Sequence, residues 1–354
     1  MSPGPPTGAG VVFTITGDTF RPTIELTPGS SAEVVWLDEQ GSALARGTDP
    51  LISFGSAATH TVTMLTTFDQ VITLNLGFNS GDDEGRYSLE KAYNKDPEAV
   101  SAIANLTLLT SLRRFLAARG QLGGTLDLTG LAQLEHVECF KARVETVILP
   151  GCESLIRLCL EQCNLRSLDL NPVAASLRDL RAAAQQSGSL ELAPLEQPLP
   201  QLYHFCVRDQ TVVGHPTSEQ LPACEELWNW GCAQVGTLPT PGRAHSVLAA
   251  WNAYTKADFS GQWQDAEVAG SLDLSDNQLD HINISGCRAL RVIRLGRNTL
   301  GGSEVDAVLA EVQSWGTNDG ELVLDGSNAS PSSTGHRSAD ALRGSGWMVA
   351  LASK

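Results

Sequence analysis

The chain has 354 residues, a formal charge of −16 and a pI near 4.8, with 42% apolar and 18% charged residues. That balance describes a folded chain with a large core and excludes a disordered polymer or a coiled coil. The negative charge disfavours a nucleic-acid backbone or an anionic membrane surface as partner, because both are repelled at long range.

The opening MSPGPPTGAG is rich in Pro and Gly and reads as an extended arm over 1–10. It lacks the basic and apolar regions of a signal peptide, and no apolar run approaches the ~20 residues of a membrane helix. Neither Sec targeting nor membrane insertion is expected. Over 11–68, the segments VVFTITGDT, PTIELTPG, SAEVVWLDE, PLISFGS and HTVTMLTT are short strands split by Gly, Pro and Asp, which predicts a small β-sandwich-like module. So short a module is expected to pack on the first repeat rather than to fold independently.

From 69 to 330 the sequence is periodic. The pattern LxxLxLxxNxL fits Leu112, Phe115, Ala117, Gly120 and Leu122; Leu134, Val137, Cys139, Ala142 and Val144; and Leu155, Leu158, Leu160, Cys163 and Leu165. It returns at Leu177 with Gln185, at Leu202 with Gln210, at Cys224 with Cys232, at Leu272 with Asn277 and at Leu290 with Asn298. The interval from Cys232 to Asn277 spans about two repeats. Each unit is too short to close a core by itself, so its apolar ladder is buried only by stacking on neighbours. Alternation at period two sends one set of side chains into that core and the other onto an open sheet face.

Cys163 and Cys232 read as substitutes for the turn Asn, whereas Gly120, Ala142 and Gln185 predict local irregularity. Asn79 marks a candidate first strand, followed by a helical insert near 88–104. The segment 237–264 fits the pattern poorly and is read as irregular, with the option of folding over the sheet. After Leu300, SEVDAVLAEVQSW predicts an amphipathic helix with Val305, Val308, Leu309 and Val312 on one side. ELVLDGSNASPSSTG then adds a strand with Asn328, 331–354 forms a cap, and Trp315 and Trp347 plug the end of the array.

The repeat spacing resembles the leucine-rich repeat family, and its second apolar alternation, as in LRSLDLNP and LDHINISG, is similar to the short bacterial class. The resemblance implies an α+β, mainly β fold: a solenoid with a curved parallel sheet, an extended convex side and a helical C-terminal cap. The N-terminal segment resembles PKD-like and Ig-like modules of adhesive proteins.

Catalytic signatures are not legible: GxSxG, Walker A, GxGxxG and HExxH do not occur. The seven His are scattered, and several of the eight Cys fall at buried ladder positions of different repeats, so buried free thiols are expected rather than disulfides or a metal centre. Asp82, Asp83 and Glu84 lack the spaced ligands of a calcium loop and read as a solvated turn. The expectation is a protein without catalytic residues, metal or cofactor. An enzyme hidden in 237–264 is the weaker alternative, because no nucleophile and base can be paired there.

What remains is surface recognition. The register puts His136, Phe140, Arg157, Arg181, His204, Arg208, Trp228 and Trp230 on the concave face. Asn252 and Tyr254 are placed there by spacing, so that Trp228, Trp230 and Tyr254 would form an aromatic platform beside Arg208 and His204. The layout as a whole resembles minor tail proteins of phages of actinobacteria. That resemblance implies a virion tail-tip or fibre component assembled in the host cytoplasm, contacting a host-surface glycan or protein and other tail subunits, with a homo-oligomer as an option. The alternative is a bacterial scaffold or surface protein that binds another protein.

Overall fold

The computed structural model describes residues 10–76, 100–117, 121–264 and 268–353. Two compact units make up the chain: Met1–Leu177 with Ala184–Ala193, and Arg178–Ala183 with Pro194–Lys354. Asn79, Asp82, Asp83, Glu84, Gly120 and the part of the expected helical insert before Val100 lie outside the described residues.

In the first unit, the alternation of VVFTIT buries Val11, Phe13 and Ile15 on one side of the strand Val11–Phe20. That strand lies in an antiparallel sheet ordered Ala43–Arg46, Val35–Leu37, Ile52–Leu65, Val11–Phe20 and Val100–Ala104. Phe13, Phe20 and Trp36 meet with ring centroids 5.5 to 5.8 Å apart. Trp36 is fully buried, and its indole N–H donates to the Gly47 carbonyl at 2.9 Å, as a buried indole requires.

Two expectations are corrected here. Val100–Ala104, expected to end a helix, is a strand paired with Val12–Ile15; its alternation and its Val100 and Ile103 suit a pleated edge better than a helix. The N-terminal module is not bounded at 68 either. Thr23–Leu26 leaves its sheet to pair antiparallel with Val71–Asn75. The latter begins a parallel ladder continued by Arg114–Leu116, His136–Glu138 and Arg157–Cys159.

The second unit carries parallel strands in chain order: Asp179–Arg181, His204–Cys206, Glu226–Trp228, Ser246–Leu248, Gly270–Asp273, Leu290–Arg294, Glu321–Leu324 and Met348–Leu351. Opposite them runs a second, shorter parallel set, Val235–Thr237, Ala253–Asp258 and His281–Asn283. The parallel strands of both units therefore form turns of a parallel β-solenoid, to which the first unit adds its antiparallel sheet and the C-terminal end two helices. The inward residues Leu180, Phe205, Leu227, Val247, Leu272, Ile293 and Leu322 are fully buried, and each such side chain contributes about 2 kcal/mol of hydrophobic free energy.

In most turns one polar position holds the stack in register, whereas Ala142 fills the same place with a buried methyl group. Asn277 Nδ2 donates to the Ala249 carbonyl of the preceding turn at 2.9 Å and to Leu274 of its own at 3.1 Å. Asn298 repeats this with Leu274 at 2.9 Å and Leu295 at 3.0 Å. The amide oxygens accept in turn from Tyr254 N at 3.1 Å and Leu279 N at 3.0 Å. Gln210 reaches Ala182 and Val207 in the same way, and Cys163 and Cys232 donate their thiols to Cys139 and Val207 carbonyls at 2.6 and 3.1 Å. The irregularity expected at Gln185 is not found: its longer side chain donates to Leu160 O at 2.7 Å and accepts from Leu165 N at 2.9 Å. The residue just before the ladder position turns left-handed in turn after turn, at Lys141, Gln162, Ala184, Asp209, Gly231, Trp251, Asp276 and Arg297.

The C-terminal end follows the sequence closely. Helix α1, Gly302–Ser314, buries Val305, Val308, Leu309 and Val312. Helix α2, Ser333–Gly344, is capped by the Ser332 hydroxyl, which accepts from Thr334 N and Gly335 N at 3.1 and 3.4 Å. Trp347 is 2% exposed, with its indole N–H on Thr317 O at 2.9 Å. Its ring lies so close to Gly320 that a Cβ there would approach it to 2.6 Å. Trp315 is only partly enclosed and donates to Glu311 at 2.9 Å. No described helix is long and apolar enough to cross a membrane.

Candidate functional site

On the sheet face of the second unit, parallel pairing brings side chains from successive turns into rows. His204 lies opposite Asp179 on one side and Glu226 on the other. Trp228 lies between Cys206 and Leu248. Because the strands are in register, these rows run straight across the sheet, and residues far apart in the chain become neighbours at about 4.8 Å spacing.

Asp179 and His204 are each 1% exposed, and His204 Nδ1 lies 2.9 Å from Asp179 Oδ1. Arg181 Nε donates to the same carboxylate at 3.1 Å. Burial alone would raise the Asp179 carboxyl, but the hydrogen bond from His204 and the Arg181 charge outweigh it and hold it at about 2. Glu226 is 3.9 Å from His204 Nε2, and the imidazole meets the Trp228 ring edge-on at 4.8 Å between centroids. The histidine thus forms a pedestal under the indole.

Trp228 and Trp230 are half-buried, with centroids 6.4 Å apart and planes tilted by 38°. The Trp228 indole N–H donates to Ser246 Oγ at 3.3 Å and that of Trp230 to Asp209 Oδ1 at 3.1 Å. Arg208 binds the other Asp209 oxygen at 2.7 Å and places its guanidinium 4.8 Å from the Trp230 ring centre. Asp209 therefore fixes both the ring and the cation that lies on it, so the pair is preorganised.

Arg181, His204, Arg208, Trp228 and Trp230 are thus brought together as the register predicts. Asn252 and Tyr254 are not. Asn252 is the ladder amide of its turn: Nδ2 donates to Asn229 O at 3.0 Å, and Oδ1 accepts from Cys232 N and Gln234 N, each at 3.0 Å. Tyr254 is 2% exposed on the far side of that turn, where its hydroxyl accepts from Asn229 Nδ2 at 2.8 Å; burial pushes its phenol well above the usual range. The segment 237–264 is no flap. Its Ser246–Leu248 pairs in parallel with Glu226–Trp228 and with Ser271–Asp273. Its periodicity is hard to see because Ala244, Val247 and Ala249 replace the expected leucines.

Correct alignment of Asn252 reveals a residue that sequence reasoning missed. Trp251, immediately before it, is 61% exposed.

His136, Phe140 and Arg157 belong to the first unit. His136 is half-buried on its strand. Phe140 is buried, with the Lys141 ammonium 5.2 Å from its ring centre, and Arg157 lies 3.8 Å from the buried Glu138. These three are described with their own unit and are not joined to the Trp228 group.

All eight cysteines are free, seven of them buried and Cys159 partly exposed. Burial pushes the thiols of Cys163, Cys224, Cys232 and Cys287 up to about 12, which makes them inert packing groups rather than nucleophiles. Among the described residues no group of three or more His, Cys, Asp and Glu is arranged to hold a metal ion. Comparison of the sequence with family models and with curated proteins gives no match.

Proposed function

We propose that this protein is a non-enzymatic binding solenoid of the short leucine-rich repeat type, which grips its ligand with the sheet face around Trp228 and Trp230. The observation that carries the reading is the Asp209 clamp: one carboxylate holds both the Trp230 indole N–H and Arg208, at 3.1 and 2.7 Å, on a regular sheet. Half-exposed aromatics flanked by arginine and held still before binding are the usual anchors of a recognition surface, because little conformational entropy is lost when a partner arrives.

The setting we favour is a virion tail-tip or fibre component that contacts the host surface. It rests on the layout read from the sequence: a Pro- and Gly-rich arm, an adhesive PKD- or Ig-like module, short repeats and a capped end. The test is adsorption of the labelled full chain to intact actinobacterial cells, with wild type compared to the double variant Trp228→Ala, Trp230→Ala. Wild-type adsorption reduced at least tenfold in the variant supports the reading. Equal adsorption of the two sinks it. Detection of the chain in purified particles tests the virion assignment separately.

A further inference from the structure

The row of left-handed residues at the edge of the sheet runs Asp209, Gly231, Trp251, Asp276 and Arg297 in the second unit. Backbone bonds fix their order: Asp209 N donates to Trp230 O at 2.9 Å, Gly231 N to Ala250 O at 2.9 Å and Trp251 N to Ser275 O at 3.0 Å. A left-handed backbone favours Gly, Asn or Asp and is unfavourable for a bulky side chain. Trp251 nevertheless adopts φ 53° and keeps 61% of its surface in water. Trp263 is also left-handed but is buried, so packing accounts for it. The repeat imposes this backbone at the position, as at Lys141, Gln162, Ala184 and Arg297, so what sets Trp251 apart is a large apolar ring left in water at the sheet edge.

Gly231 supplies the second observation. It follows Trp230 directly and stands between Asp209 and Trp251 in the row, so the edge has a position without a side chain bounded by an acid and an indole, with Trp230 behind it. We propose that Trp228, Trp230 and Trp251 are successive stacking positions for an oligosaccharide of neutral or amino sugars that crosses the sheet edge over Gly231. This deepens the binding-face reading above and rests on it.

The chemistry of the surroundings selects the ligand class. Indole faces stack on the C–H face of a pyranose, while Glu226, Ser246, Asp209 and Arg208 provide acceptors and donors for hydroxyl groups at its rim. An amphipathic helix would need a continuous apolar groove, and here polar groups flank both tryptophans. A basic peptide would meet the Arg208 guanidinium already in the cation–π position over Trp230. A uronate or sulfated chain would approach a protein of net charge −16 and be repelled.

The test is calorimetric titration of the full chain with N-acetylglucosamine, galactose, glucosamine and galacturonate oligomers, alongside Trp251→Gly and the double variant Trp228→Ala, Trp230→Ala. Trp251→Gly relieves the left-handed backbone, so the fold is expected to survive while binding of a neutral or amino oligomer weakens at least tenfold; a merely structural tryptophan would leave the affinity unchanged. Unchanged affinity in Trp251→Gly removes Trp251 from the site, and galacturonate bound as tightly as the neutral oligomers overturns the ligand class. If no oligomer binds while the double variant still loses cell adsorption, the sugar assignment fails and the binding face stands. If adsorption is also unaffected, both fail.

Discussion

Asn229 occupies an inward position where other turns carry Cys139, Leu160, Val207, Ala249 or Leu274, and it is completely buried. It is there because it serves a half-buried histidine and a buried tyrosine, approaching His215 Nε2 at 2.9 Å and donating to Tyr254 Oη at 2.8 Å. His215 Nδ1 faces the Pro216 carbonyl at 3.0 Å, which fixes the neutral tautomer with its proton on Nδ1 and leaves Nε2 to accept. Asn229→Leu restores the repeat pattern yet strands the histidine and the tyrosine, and we expect it to cost about 1 to 3 kcal/mol in urea unfolding. Burial lowers His215 to about 4 from its ordinary 6.5. The unfolded chain therefore binds more protons between those two values. This stability is complete above pH 6.5 and is lost as pH falls from there through 4, by on the order of 3 kcal/mol. His215→Phe should flatten that part of the stability profile.

At the scale of the element, the ladder amide decides how well one turn is fastened to the next. Asn277 and Asn298 donate twice and accept once, all in buried surroundings; a cysteine in that place offers one weak donor. Replacing Asn277 by Ala should cost roughly 2 to 4 kcal/mol, since several backbone groups lose partners together. Cys163→Ala should cost about 1 kcal/mol, and chemical denaturation of the two variants checks the ranking. The thiols give an independent reading of the same burial: in the native protein an aromatic disulfide reagent should modify Cys159 rapidly and the remaining seven only on unfolding.

For the molecule as a whole, a stack of turns distributes its stability locally, each turn depending on its neighbours. Trp347→Ala opens a cavity against Gly320 and the last strands, at a cost of about 3 to 5 kcal/mol. Hydrogen exchange should then quicken first in Glu321–Leu324 and Met348–Leu351, with protection at Glu226–Trp228 little changed. Uniform loss of protection along the second unit would show instead that it melts as a single block.

The sequence alone determined the solenoid. Its period, the inward leucines and the capping helix are local patterns whose spacing maps directly onto buried positions, and Trp228 and Trp230 followed from the same arithmetic. Gln185 departs from the expectation because a template built on residue type has no place for a longer amide in the role of Asn. Tyr254 and Trp251 depart from it for another reason: in the turn around Val247 the leucines are replaced by smaller residues, and without them only the stacked neighbours fix which residue faces the sheet. Thr23–Leu26 and Val100–Ala104 depended on tertiary structure most of all, since which sheet a short strand joins is decided by hydrogen-bonding partners distant in the chain, and no local periodicity encodes them.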